Sequence, residues 1–211
     1  MAPGPGIERV VTSGVFALDG QQWEVENNVW LVGDENEVIV VDAAHEVGPI
    51  VEAVAGRRVT AIVLTHGHND HINAALPLAE DVGSPPVWLH PEDTMLWRQV
   101  YPAAMPTHWL ADGQVITGGG VELTAIHTPG HSPGGCCFYD GAGHLFSGDT
   151  LFEGGPGNTS RSFSHFPTII ASVRDRLLGL PPETVVHTGH GNSTTIGAEA
   201  PHLGEWVARG H

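Results

Sequence analysis

The residues with the clearest chemical potential lie in one short stretch, LTHGHNDHI at positions 64–72. It follows an apolar run and holds three histidines and an aspartate within six residues. His66 and His68 alternate by two, so in an extended chain their side chains project to the same side. Asp70 and His71 follow, where we expect the chain to turn into a helix. Imidazole and carboxylate groups together favour a zinc or iron site.

Three later segments carry residues of the same kind, each after an apolar or β-like run and among glycines. They are HTPGHSPG, LFSGDTLF and VVHTGHGNS. The candidate metal ligands are therefore His66, His68, Asp70, His71, His131, Asp149 and His190. One zinc ion takes about four ligands, including a water in catalytic sites. The larger set predicts two ions that share a carboxylate and a hydroxide.

These residues resemble the signature of the metallo-β-lactamase-fold hydrolases, and within them the glyoxalase II-like branch. THGHNDH at 65–71 matches the family's HxHxDH motif, and the later histidine, aspartate and histidine occur in the family's order. The resemblance implies an α/β fold, a four-layer αββα sandwich with the site at the sheet edge between its halves.

The same resemblance implies the role of each site residue. It assigns one metal to His66, His68 and His131, and the other to Asp70, His71 and His190, with Asp149 bridging. Asp42, at the end of VIVVD, matches a position whose side chain contacts a metal ligand without binding the metal itself. A strand-end turn is the alternative role for this aspartate. The expected cofactors are two divalent ions, zinc first, with iron and manganese as alternatives.

The hydropathy pattern predicts short strands mixed with helices. Strands are expected at 29–32, 38–41, 61–64, 87–90, 121–127, 135–139 and 184–187. A helix is clearest at 168–178, and weaker helical patterns cover 49–55, 72–79 and 202–209. This alternation indicates α/β layers around two sheets. We expect a single domain over residues 1–211, without the helical C-terminal domain of glyoxalase II.

Charge and composition limit the kinds of molecule that the protein is expected to bind. The chain has 24 acidic and 8 basic residues, a net charge of −16, and no lysine. Such a field repels phosphate backbones, which argues against nucleic acid. No membrane span or signal peptide is visible, so we expect a cytoplasmic protein. The adjacent Cys136 and Cys137 are expected to be buried free thiols. The sequence leaves a homodimer open.

The family resemblance implies a metal-dependent hydrolase in which a bridging hydroxide attacks a carbonyl and Asp70 steers it. A thioester of a small thiol suits such a site, because a thiolate leaves without much help from an acid. The composition and the C-terminal segment resemble small actinobacterial hydrolases, which makes mycothiol a candidate carrier. The candidate substrate contacts lie on the loop at 151–166. They are Arg161, Ser162, Phe163 and His165.

Other activities share much of this pattern. A lactone hydrolase has the same ligands. A persulfide dioxygenase holds one iron at positions matching His66, His131 and Asp149, and a metal-bound binding module would catalyse nothing. The commonest dizinc β-lactamases carry a cysteine where this chain has Asp149, which disfavours lactamase activity.

Overall fold

The computed structural model describes residues 6–210. Its strands are β1 Gly6–Leu18, β2 Gln21–Gly33, β3 Glu37–Val41, β4 Arg58–Val63, β5 Val87–Leu89, β6 His108–Trp109, β7 Val115–Gly118, β8 Val121–His127, β9 Cys136–Tyr139, β10 His144–Gly148, β11 Leu151–Phe152, β12 Gly155–Pro156, β13 Val185–Thr188 and β14 Thr194–Thr195. Its helices are α1 Val47–Val54, α2 Asn69–Ile72, α3 Ala75–Asp81, α4 Thr94–Val100, α5 Phe166–Ser172, α6 Ile196–Glu199 and α7 Leu203–Arg209. Short 3₁₀ turns cover Pro91–Asp93 and Ala200–His202, and a π-helical turn covers Val173–Leu177.

The strands form two six-stranded sheets and one small two-stranded sheet. The first sheet has the order β1-β2-β3-β4-β5-β6, and the second has the order β14-β13-β10-β9-β8-β7. Strands β3 to β6 run parallel, whereas β1 and β2 form a long antiparallel hairpin. In the second sheet β8, β10 and β13 point the same way, because β9 is antiparallel to both β8 and β10.

Strand pleating divides the apolar residues among three layers of core. In β3, Val38 and Val40 face a core shared with α1, α3 and α4, while Ile39 and Val41 face the second sheet. In β9, Cys136 faces the first sheet and Cys137 faces the layer of α5 and α7. The result is the expected α/β architecture with helices outside two facing sheets. Both thiols are free and buried, as predicted.

The predicted strands are all present, with ends shifted by a few residues or, for β2, extended well towards its N-terminal side. The helix expected at 168–178 starts earlier as α5 and ends in the π-helical turn. The sequence patterns missed β1, α4, β7 and β10, and also the two-residue strands β6, β11, β12 and β14 and the short helix α6. The first strand alternates between exposed and partly buried residues without a continuous apolar face, so it lacks the signal on which the prediction depended. Within residues 6–210, no helix is long and apolar enough to cross a membrane.

The topology brings six strand ends to one edge of the two sheets. The carboxyl ends of parallel strands lie at the same edge of a sheet, where sites form readily in α/β folds. In the first sheet the segments after β3, β4 and β5 begin at Asp42, Leu64 and His90. In the second sheet those after β8, β10 and β13 lead to His131, Asp149 and His190.

Candidate metal centre

The predicted ligands converge at this edge. One group comprises His66, His68 and His131, and another comprises Asp70, His71 and His190; within each, the ligand atoms lie within 4.8 Å of one another. A third grouping joins His66, His71 and Asp149 and so connects the two. Asp149 Oδ2 lies 3.5 Å from His131 Nε2 and 3.4 Å from His190 Nε2. A single carboxylate oxygen therefore adjoins one ligand of each group.

The spacing of the donor atoms suits metal ions. His68 Nδ1 lies 3.0 Å from His131 Nε2, and His71 Nε2 lies 3.2 Å from His190 Nε2. His190 Nε2 is also 3.4 Å from Asp70 Oδ2. Ligand atoms about 2.0–2.1 Å from a tetrahedral ion are about 3.3 Å apart. The two groups thus have the spacing of coordination shells.

Four of the five rings have their outer nitrogen occupied. His71 Nδ1 lies 2.9 Å from Asp42 Oδ2, and His66 Nδ1 lies 3.1 Å from the Thr65 hydroxyl. His131 Nδ1 donates to the Asn158 carbonyl at 2.9 Å, and His190 Nδ1 donates to the Glu26 carbonyl at 2.7 Å. A carbonyl or carboxylate acceptor keeps the proton on Nδ1, which leaves the Nε2 lone pair free for a cation.

Buried polar atoms in the cluster lack partners within the protein. They are His66 Nε2, His68 Nε2, Asp70 Oδ1 and Asp149 Oδ1. Burying a polar group without a hydrogen bond costs about 1–3 kcal/mol, and burying a carboxylate without a counter-charge costs more. The neutral imidazoles and anionic carboxylates are the ligands that divalent zinc, iron and manganese accept. The residues therefore fit the pair of ions expected from the sequence.

Burial and neighbouring charges shift the pKa values of the candidate histidine ligands in two opposite directions. Burial lowers the pKa of His68 to about 3 and holds the pKa of His66 well below its usual value, so both rings are neutral at pH 7. Burial also opposes protonation of His190, but the Asp149 and Asp70 carboxylates together outweigh it and raise the pKa of His190 to about 10. Asp149 likewise raises the pKa of His71 against the effect of burial. Where these rings are protonated, they balance a charge that a metal ion would otherwise balance.

A fourth group of donor-bearing residues, His90, Glu92 and His127, lies outside this cluster. The two rings stack at an interplanar angle of 14° with centroids 4.1 Å apart. The lone pair of an imidazole nitrogen lies in the ring plane, and one ion cannot lie in two nearly parallel planes. His127 Nε2 also lies 3.0 Å from the Pro133 carbonyl. The stacked pair is therefore not a further metal site beyond the two ligand groups.

The chain matches the model of the metallo-β-lactamase superfamily over residues 23–190. It belongs to this superfamily. A hydroxyacylglutathione hydrolase, GloC, from Haemophilus influenzae is 29% identical over 79% of this chain and 85% of its own length. A protein solved in a di-iron-bound form has a TM-score of 0.75 and 36% identity, over 83% of this chain and 93% of its own. BLEG-1, a B3 metallo-β-lactamase, has a TM-score of 0.78 and 27% identity, over 93% of this chain and 100% of its own.

In this member of the metallo-β-lactamase superfamily, strand β2 supports the second group of ligands. Asn27 Nδ2 donates to Asp70 Oδ2 at 3.1 Å. Asn28 Nδ2 donates to the carbonyls of Thr188 and Gly191, both at 3.0 Å, and so fixes the turn that carries His190. Sequence reasoning missed both asparagines. The available signal was a pair of amides immediately before a fully apolar run, since buried polar groups need a partner.

Glycine is required at two positions beside Asp149. A Cβ atom at Gly189 would lie 2.3 Å from Asp149 Oδ1 and 2.7 Å from His71 Cε1. At Gly157 it would lie 1.9 Å from the Asp149 carbonyl oxygen. Both positions allow the backbone to approach the cluster where a side chain would displace a ligand.

A cavity of about 200 Å³ opens onto the cluster. Its walls include His68, Asp70, His131, Asp149 and His190, together with Phe16, Val25, Phe152, Asn158 and Arg161. A second groove of about 420 Å³ shares Val25 with it and runs along the β1–β2 hairpin past Glu24 and Glu26. The candidate metal centre is thus accessible to a small molecule through the first cavity.

Of the four predicted substrate contacts, the structure places only Arg161 in the cavity wall. Its guanidinium lies 3.6 Å from the ring centroid of Trp23 and 4.8 Å from that of Phe16. Its Nη1 is buried without a hydrogen-bond partner.

The other three predicted contacts are not among the wall residues. Ser162 donates its backbone N–H to Asp19, Phe163 is 48% exposed, and His165 Nδ1 lies 2.7 Å from the Thr168 hydroxyl.

Proposed function

We propose that the protein is a metal-dependent hydrolase that cleaves the thioester of a low-molecular-weight thiol. The observation that carries this proposal is the position of Asp149, whose one oxygen adjoins a ligand of each group. A pair of divalent ions held there would lower the pKa of a shared water and polarise a carbonyl oxygen. Zinc is the first metal to test, with iron and manganese as alternatives.

Within this proposal, Asp70 has two roles. One of its oxygens adjoins His190 and accepts the Asn27 amide, while the other is buried without a partner. The unpartnered oxygen is available to orient the attacking water by accepting a hydrogen bond from it. Asn27 limits rotation of the carboxylate by donating to its other oxygen.

The cavity walls favour a leaving group that needs no proton. Apart from the cluster itself, the only ionisable wall residue is Arg161. A guanidinium does not lose its proton near neutral pH, so it cannot act as a general acid. A thiolate departs without protonation, whereas an amide nitrogen needs an acid. This favours a thioester over an acyclic amide.

The neighbouring groove favours a neutral thiol. Glu24 and Glu26 line it, and the chain carries a net charge of −16. These charges oppose a thiol with two carboxylates such as glutathione. A sugar-based thiol such as mycothiol has no charge to repel, and Arg161 Nη1 would donate to one of the substrate's oxygen atoms. We therefore propose mycothiol thioesters as the first physiological candidates.

Metal analysis and a substrate panel test the proposal. Two metal ions per chain, with turnover of a thioester well above that of a lactone or a β-lactam, are the expected results. Faster turnover of the lactone would reassign the protein as a lactone hydrolase. One iron per chain with oxygen uptake on a persulfide would indicate a dioxygenase. Bound metal without turnover of any substrate would indicate a binding module.

A further inference from the structure

Asp93, in the 3₁₀ turn after β5, connects the two segments that carry the first group of metal ligands. Its side chain is fully buried. Oδ2 accepts hydrogen bonds from the Gly67 backbone N–H and the Ser132 hydroxyl, both at 2.7 Å. Oδ1 accepts one from the Gly134 backbone N–H at 2.6 Å. One carboxylate thus holds the 66–68 turn against the 131–134 turn.

The neighbouring glycines are shaped to this carboxylate. A Cβ atom at Gly67 would lie 2.9 Å from Asp93 Cβ, and a Cβ atom at Gly134 would lie 2.8 Å from Asp93 Cγ. Real Cβ atoms do not approach so closely, so both turns approach Asp93 as closely as they do only with glycine at these positions. The glycine inside the HGH motif therefore has a structural reason that the motif alone does not reveal.

The ligands on these turns are those of one metal group only. His66 and His68 flank Gly67, and His131 directly precedes Ser132. The other group depends on different supports, because Asn27 holds Asp70 and Asn28 holds the His190 turn. We propose that Asp93 is a positioning residue for the His66–His68–His131 metal alone. This inference rests on the metal centre of the proposed function.

The geometry requires the carboxylate form of this side chain. Its oxygens face two backbone N–H donors and a hydroxyl. In Asp93→Asn the amide group would direct its N–H₂ at one of the two backbone donors, whichever way it turns. The variant keeps the shape of the side chain but leaves one turn without its acceptor. It therefore loosens the link between the turns without creating a cavity.

The test compares the affinities of the two metal sites. Zinc is removed from Asp93→Asn with a competing chelator, and the dissociation constant of each ion is measured. We expect the ion at His66, His68 and His131 to bind about 10- to 100-fold more weakly, the usual effect of removing a residue that holds metal ligands in place. The affinity of the other ion should be unchanged. In a His68→Ala background, which retains only the second site, Asp93→Asn should have no further effect on metal affinity.

Two variants serve as comparisons. Asn28→Ala should weaken the ion that Asp93→Asn leaves unchanged, because it releases the His190 turn. Asp140→Asn should affect neither, since Asp140 accepts backbone N–H groups from Ala142 and His144 in the hairpin between β9 and β10. If Asp93→Asn does not fold, Ser132→Ala removes one of the three hydrogen bonds and should show a smaller effect on the same ion.

Equal weakening of both ions, or a lower melting temperature with both affinities unchanged, would overturn the inference. Further loss of affinity in the His68→Ala background would do the same. Absence of metal binding by the wild-type protein would instead overturn the proposed metal centre, so the two failures are distinguishable.

Discussion

Asp149 is the residue on which the two halves of the candidate centre depend. It follows β10 directly, and its side chain reaches ligands that come from both sheets. Burial opposes its ionisation, but the adjacent His190 and His71 hold its pKa well below the usual value. The carboxylate is therefore anionic with or without metal, as a bridging ligand must be. His68, in contrast, adjoins only the first group.

Alanine substitutions at His68 and Asp149 distinguish the loss of one metal site from the loss of both. His68→Ala should reduce the metal content from two ions to one, because only its own group loses a ligand. Asp149→Ala should lower the occupancy of both sites and reduce turnover at least 100-fold. Elemental analysis after dialysis measures this, with the exposed His202→Ala as a control that retains two ions. Wild-type metal content in either His68→Ala or Asp149→Ala would remove these residues from the ligand set.

For individual residues, the sequence predicts those features that depend on residue type and order along the chain. The seven candidate ligands were predicted from their spacing, their glycine neighbours and the family motif, and the structure brings them together. The partners of their outer nitrogens were harder to predict, because two of them are backbone carbonyls, those of Glu26 and Asn158. Any residue supplies a carbonyl, so no pattern in the sequence marks these positions.

Among the elements, the β1–β2 hairpin and the loop at 151–166 form the wall opposite the metals. Apolar periodicity predicted the buried half of β2 but not the half that faces the cavity, where polar and apolar residues alternate. Trp23 and Phe16 lie on this hairpin, and Arg161 from the loop lies over both rings. A pairing across 138 residues, from Trp23 to Arg161, depends on tertiary structure, which local periodicity does not report.

Arg161→Met tests the contact of this loop with substrate. The variant keeps an apolar stem over the two rings but removes the donor that lacks a partner in the protein. We expect KM for a thioester substrate to rise about tenfold, equivalent to about 1.4 kcal/mol, with metal content unchanged and kcat within a few-fold.

Ser162→Ala is the matched control for this loop. The substitution keeps the backbone N–H that donates to Asp19 and removes the hydroxyl, which also interacts with Asp19. Ser162 is not among the wall residues of the cavity, so the variant alters only the link between the loop and the hairpin. An unchanged KM in Arg161→Met would show that the arginine only holds the loop to the hairpin.

For the whole molecule, with its net charge of −16, the proposed metal ions would be part of the charge balance. Two divalent cations at the sheet edge would offset the charges of the Asp70 and Asp149 carboxylates. Without metal, protonated His71 and His190 take this role, since Asp149 raises their pKa values against the effect of burial. The dependence of stability on pH should therefore differ between the metal-free and the metal-bound protein.

The metal-free protein should be most stable near pH 6.5. Below this value the unfolded chain protonates His68, whose folded pKa is about 3, so stability falls as the pH drops towards 3. Above it, the unfolded chain loses the proton that folded His190 keeps up to a pKa of about 10, so stability falls as the pH rises. Each group contributes up to about 1.4 kcal/mol per pH unit.

Urea denaturation between pH 6.5 and 8.5 measures the alkaline side of this dependence. Zinc should abolish the decline, because a ligated His190 carries no proton in the folded state. His190→Gln should reduce the decline in the metal-free protein and leave the part due to His71. A metal-free protein whose stability stays level or increases from pH 6.5 to 8.5 would show that these histidines do not balance the buried carboxylates.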